Sequence, residues 1–172
     1  LAFAGGGLAQ QRRCLVIVSP KRILWPTDFS ELSLLGGRYA RGFRDVFAAE
    51  LRIVHVVPPP LSPEVSVMLP TEVPVTVSEP EILDACRKGL ERIIAEHFDG
   101  DESIVYEAFF GNPWSGVCDY AKQRDIDLII VGTHGRTGLR HALIGSTAER
   151  IVQHAPCPVL TVKSPEKDFL VD

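Results

Sequence analysis

The sequence predicts a single α/β domain built on a doubly wound, five-stranded parallel sheet. Three observations predict it. Five short apolar runs punctuate the chain, and the four segments that follow the first four runs hold stretches with apolar residues at helical spacing. The order is therefore β-α-β-α-β-α-β-α-β. The runs are continuous rather than alternating, which is the pattern of strands buried on both faces of a sheet covered by helices. A length of 172 residues suits one domain with a buried core.

The first strand is "RILWP", Arg22–Pro26, stopped by its proline. The next stretch, "DFSELSLLGGRYARGFRDVFAAE", carries Leu32, Leu35, Tyr39, Phe43, Val46 and Phe47 at helical spacing, with Asp28 or Ser30 available as a cap. Gly36, Gly37 and Gly42 each cost such a helix about 1 kcal/mol relative to Ala, which close packing on a sheet would offset. "LRIVHVV", Leu51–Val57, is the second strand. A proline-rich excursion runs from Pro58 to Pro80, without helical period. The second helix, "EILDACRKGLERIIAEHF", sets Ile82, Cys86, Leu90, Ile93, Ile94 and Phe98 on one face. "SIVYEAFF" is a strand, broken by Gly111, Asn112 and Pro113. These open a helix with Trp114, Val117, Cys118 and Ala121 inward. "DLIIVG" is the fourth strand. A helix over Ser146–His154 has Ala148, Ile151, Val152 and Ala155 inward, and "CPVLTV", Cys157–Val162, closes the pattern. Residues 1–20 stand outside it as an N-terminal extension, in which "CLVIV" is a candidate strand or arm. The domain is expected over 21–163, with 164–172 as a tail.

Composition excludes several functions. A net charge of −4 argues against a nucleic-acid or anionic-membrane surface as the main partner. No apolar run reaches the roughly 20 residues that span a bilayer. The start of the chain lacks the charge order of a signal peptide. Cys14, Cys86, Cys118 and Cys157 form no CxxC pair, so reduced thiols in a cytoplasmic protein are expected.

The stretch with chemistry is "VGTHGRTGLRHALIGSTAER", Val131–Arg150. In an open parallel sheet, ligands bind beyond the carboxyl ends of strands, where the strand order reverses. If the first and fourth strands are neighbours, "PTD" (Pro26–Asp28) meets "GTHG" (Gly132–Gly135) there. Gly132 and Gly135 let backbone approach a ligand closely. Gly145 and Ser146 open a helix whose free N–H groups favour an anion. Ser146 and Thr147 add hydroxyls, and Arg136 a positive charge. The plainer reading also stands: Ser146-x-x-Glu149 has the form of a capping box, which needs no ligand. Other chemistries lack their signatures. There is no GxxxxGK[ST], no GxGxxG, no GxSxG, no HxGH, and no EF-hand or zincin spacing. His55, on a strand, reads as packed rather than catalytic.

The spacing Gly132-x2-Gly135-x9-Gly145-Ser146 resembles the nucleotide-binding signature of the universal stress protein family, ATP-binding branch. The resemblance continues through "RILWPTDFSELS", "RIVHVV", "GNP" at 111–113 and "ERIVQHAPCPVLTV". It implies a Rossmann-like sheet of order 3-2-1-4-5. It implies ATP as ligand, with any Mg²⁺ arriving on the phosphates. Pro26, Thr27 and Asp28 fall at the ribose and adenine side, and the backbone of Val56 at adenine. Gly132, Gly135, Arg136, Gly145, Ser146 and Thr147 fall at the phosphates. It also implies a homodimer through the last strand, over Val159–Val162. The function implied is a nucleotide-dependent stress-response switch, with a slow ATP hydrolase and a nucleotide-free dimeric interaction protein as alternatives. No carboxylate lies between Thr133 and Ile144, so binding is expected to outweigh hydrolysis.

Overall fold

The computed structural model describes residues 18–59, 78–133 and 144–163. The strands are β1 (Arg22–Pro26), β2 (Glu50–Val57), β3 (Val105–Phe110), β4 (Leu128–Gly132) and β5 (Val159–Val162). The helices are α1 (Glu31–Phe47), α2 (Glu79–His97), α3 (Pro113–Gln123) and α4 (Ser146–His154). All strand pairs are parallel, in the order β3-β2-β1-β4-β5. This is the doubly wound sheet and strand order that the sequence and its resemblance predicted. Residues 14–17 of the candidate arm Cys14–Val18, residues 60–77 of the proline-rich excursion and the tail at 164–172 lie outside the described residues.

Alternate strand residues feed two cores. Ile23, Trp25, Leu51, Ile53 and Ile130 join Leu90, Ile93 and Ile94 of α2 and Tyr39 and Ala40 of α1 on one face. Leu24, Val54, Val56, Ile129 and Val131 meet Val117, Tyr120 and Ala121 of α3 and Ala148 and Ile151 of α4 on the other. Helices thus cover both faces, two on each.

Helix α1 packs differently from its apolar periodicity. Its buried residues are Ser33, Gly36, Gly37, Tyr39 and Ala40, with Phe43 and Phe47 only half-buried and Val46 78% exposed. Small residues make the closest approach to the sheet, beside the buried Tyr39, while Leu35, Phe43 and Phe47 pack at the margin of the core. A Cβ on Gly37 would lie 2.6 Å from the Trp25 ring, and one on Gly36 would lie 3.3 Å from the Gly132 nitrogen. The glycines therefore let the helix ride directly on the strands, and Trp25 fills the space (its indole N–H donates to the Ser33 carbonyl at 3.1 Å). Ser30 is the cap, its Oγ accepting from the Ser33 N–H at 3.2 Å.

Two other helices also differ from the sequence expectation. Val152, placed inward by spacing, is 48% exposed, because α4 buries only Ala148 and Ile151. Helix α2 starts at Glu79, so Glu79 and Pro80 belong to it rather than to the proline-rich excursion. Proline is tolerated in a first turn, where its missing N–H has no intrahelical partner, and Glu81 accepts from the Ser78 N–H and hydroxyl at 2.9 and 2.7 Å.

Candidate nucleotide site

β1 is the switch point. From it the chain proceeds to β2 and β3 on one side and β4 and β5 on the other, so the crevice opens between the carboxyl ends of β1 and β4. A cleft of about 370 Å³ lies there. Of the residues singled out from sequence, Pro26, Thr27, Asp28, Val56, Gly132, Gly145, Ser146 and Thr147 line it. Gly135 and Arg136 lie outside the described residues, as does His134. Asp28 is the one carboxylate among the described lining residues.

The cleft draws in polar groups that the rest of the interior avoids. Among the described residues, the four buried polar side chains are Thr27, Ser33, His55 and Thr133, and all four line it. Buried polar groups need partners. The Ser33 hydroxyl donates to Thr27 Oγ1 at 3.0 Å, and the Phe29 N–H donates to the same oxygen at 3.1 Å. His55 Nδ1 lies 2.8 Å from the Thr27 carbonyl. A carbonyl only accepts, so Nδ1 carries the proton. Asp28 Oδ1 accepts from the Ser30 N–H at 3.1 Å and from its hydroxyl at 2.6 Å. Asp28 therefore orients the cap of α1 and is not the cap itself.

The strand end beside Thr27 has backbone groups that no described strand pairs. In a parallel ladder a residue's N–H and C=O point to the same side, and the side alternates along the strand. The Val54 carbonyl accepts from Thr27 N–H at 2.9 Å, whereas the Val57 carbonyl faces β3 and accepts from Gly111 N–H at 2.9 Å. Val56 therefore points its N–H and C=O to the β1 side, where β1 has already ended at Pro26, opposite Val54. The donor and the acceptor of Val56 thus lie beyond the end of the β1 ladder, at the cleft that Val56 lines.

The opposite wall is the start of α4. Gly145 is the N-cap, and no side chain caps this end. Ser146 stands at the first helical position, so the capping box read from Ser146 and Glu149 is not formed. A glycine in extended conformation already satisfies the cap geometry, and its N–H donates to the Thr133 carbonyl at 2.6 Å, tying α4 to the end of β4. The N–H groups of the first turn and the helix dipole remain directed at the cleft, a favourable arrangement for an anion.

Gly132 has a packing reason that the motif spacing did not suggest. A Cβ there would meet the Leu32 carbonyl oxygen at 2.8 Å and Ser33 Cα at 3.4 Å. Its missing side chain makes room for α1. Phe29, Ser33 and Thr133 were missed by sequence reasoning. Thr133 and Phe29 are direct neighbours of the motif residues Gly132 and Asp28, and that adjacency was the available signal.

Fold and cleft together define a doubly wound α/β protein with an open cleft at its switch point. Residues 20–163 match the profile of the Universal stress protein family. The chain is 34% identical over 148 residues to universal stress protein MJ0531 of Methanocaldococcus jannaschii, covering 86% of this chain and 85% of that one. The solved structure of MJ0577, a universal stress protein of the same organism, superposes with a TM-score of 0.68 at 28% identity, covering 87% of this chain and all of the other. A universal stress protein family protein from Arabidopsis thaliana, solved with AMP bound, shares the fold at a TM-score of 0.54 and 16% identity, over 86% of this chain and 94% of that one. This chain belongs to the universal stress protein family.

Proposed function

We propose that the chain binds ATP in this cleft and acts as a nucleotide-dependent stress-response switch. The observation that carries the reading is the convergence, around one cleft, of the uncapped N-terminus of α4, the Asp28 carboxylate and the backbone groups of Val56 that no described strand pairs. Each suits a different part of the ligand. Adenine presents its amino donor beside a ring acceptor, which matches the Val56 carbonyl and N–H. Asp28 suits ribose hydroxyls. Gly132, Gly135, Arg136, Gly145, Ser146 and Thr147 are assigned to the phosphates, with Mg²⁺ arriving on them. Three or four hydrogen bonds to charged oxygens, each about 1.5–3 kcal/mol before ordering costs, make micromolar binding reasonable. A relative solved with AMP bound is consistent with this reading.

Binding outweighs hydrolysis in this proposal. Water attack on a γ-phosphate needs a group that orients or deprotonates water. Asp28 is the sole carboxylate among the described lining residues, and it is assigned to the ribose end. Turnover well below the enzyme median of about 10 per second is expected. The setting proposed is the cytoplasm, in keeping with the free thiols of Cys86, Cys118 and Cys157. The proposed assembly is a homodimer through β5, which ends the sheet order and has one edge unpaired among the described residues. The test is chromatography of the nucleotide released when pure protein is denatured, followed by single-turnover ATP loss with Mg²⁺. Released ATP or ADP with slow turnover supports the switch. Fast turnover would make the chain an ATPase, and protein that neither carries nor takes up nucleotide would leave only an interaction role.

A further inference from the structure

We infer that Phe29 is a positioning residue for Asp28, and that Gly89, on a helix outside the cleft, fixes where Phe29 sits. The inference rests on the proposed reading of the cleft, with Asp28 at the ribose. Phe29 follows Asp28 directly and has a φ of +66°, the left-handed region that side chains disfavour. Such a conformation persists only where surroundings over-determine it. Three contacts do so here. Its N–H donates to Thr27 Oγ1 at 3.1 Å. Its ring packs on the His55 ring, centroids 4.4 Å apart. The other constraint is α2, whose Gly89 comes so close that a Cβ there would stand 3.0 Å from Phe29 Cε1 and 3.3 Å from Cζ.

The ring thus touches both a strand residue and a helix that lines no part of the cleft. His55 cannot retreat, because its Nδ1–H is bonded to the Thr27 carbonyl at 2.8 Å and the residue is buried. A Cβ at position 89 asks the Phe29 ring to give by a few tenths of an ångström, and the peptide that Phe29 shares with Asp28 is the nearest backbone to take up that shift. Asp28 is in turn fixed to Ser30 through Oδ1. A side chain at position 89 would rotate the carboxylate without touching any cleft residue.

Gly89→Ala separates positioning from folding. In mid-helix, Ala in place of Gly favours the helix itself. Calorimetric titration of the whole chain with ATP and with 2′,3′-dideoxy-ATP reads the effect at the ribose. Wild type is expected to favour ATP by about tenfold, the worth of one hydrogen bond to a charged group. Gly89→Ala is expected to bind ATP about tenfold more weakly while its affinity for the dideoxy analogue changes by less than about twofold. Equal weakening for both ligands would reveal a general packing loss and overturn the inference. An unchanged preference in Gly89→Ala, or no preference in wild type, would overturn it as well. Wild type without any ATP binding would sink the proposed function too, whereas wild type that binds and discriminates normally beside an unaffected Gly89→Ala sinks only this inference. If Gly89→Ala does not fold, Phe29→Leu removes the ring that touches His55 and α2. It is expected to erase the same preference, and a retained one refutes the assignment.

Discussion

Gly132→Ala should destabilise the protein even without a ligand. The added Cβ would lie 2.8 Å from the Leu32 carbonyl oxygen, 3.3 Å from its carbonyl carbon and 3.4 Å from Ser33 Cα. These are backbone atoms in the first turn of α1, so no side-chain rotation relieves the contact. The helix cannot lift freely, since the Trp25 indole holds the Ser33 carbonyl and Gly36 sits against the Gly132 nitrogen. Overpacking of this kind costs about 1–3 kcal/mol. For a chain of this size each kcal/mol lowers Tm by roughly 2–4 °C, so a fall of about 4–8 °C is expected for a mid-range cost. Thermal unfolding of nucleotide-free wild type and variant measures it. An unchanged Tm would refute the packing argument. If ATP affinity nonetheless collapsed, the glycine would serve the ligand alone.

Three other expectations test separate parts of the account. Ser146→Ala should weaken ATP by roughly 1 kcal/mol in titration, because it deletes a hydroxyl but keeps the helix N–H groups; a loss of all binding would contradict this. Thr161→Pro should give monomers in sedimentation without unfolding the chain. The Pro158 and Val162 carbonyls face β4, accepting from Ile129 and Thr133, so the N–H of Thr161 points to the outer edge; a surviving dimer would move the interface elsewhere. Lysine at Leu160 or Val162 would be a poorer probe, because both pack against the core. Burial, with the Asp127 charge and then Cys118 adding to it, pushes the Cys157 thiol from 9.0 up to about 11. The fold thus favours the neutral thiol, a contribution intact below pH 9 and lost as pH rises towards 11. Alkylation of Cys157 followed by mass spectrometry should reach half its maximal rate near the higher value; half-maximal reaction near pH 9 would contradict the burial argument.

Most of the fold was legible because the strands carry unbroken apolar runs. β1 and α4 begin and end at the residues that composition marks, Pro26 stopping one and Gly145 opening the other. The face of α1 was legible in part. Periodicity placed Tyr39 inward, with Leu35, Phe43 and Phe47 against the core, but it weights large apolar residues, so it missed the close approach through Ser33, Gly36, Gly37 and Ala40 and put Val46 inward where it lies in solvent. The site was half legible. Motif spacing drew Gly132, Gly145, Ser146 and Thr147 together, but it gave Gly132 only a ligand's reason, when α1 supplies another. It also read Ser146 as a cap where Gly145 takes that position. Phe29 and Gly89 stayed hidden because their meeting is a tertiary contact between segments 60 residues apart, with no local pattern to announce it.

The central claim is an adenine nucleotide held by the backbone of Val56 and the start of α4. Competition titration of nucleotide-stripped wild-type protein with ATP and GTP tests it most directly. Guanine reverses the donor and acceptor that adenine presents, so it would set acceptor against the Val56 carbonyl and donor against its N–H. The account predicts micromolar ATP binding at one site per chain, with GTP weaker by at least about tenfold, since unpaired buried groups each cost about 1–3 kcal/mol. Equal affinity for the two nucleotides, or no binding of ATP at millimolar concentration, would contradict it.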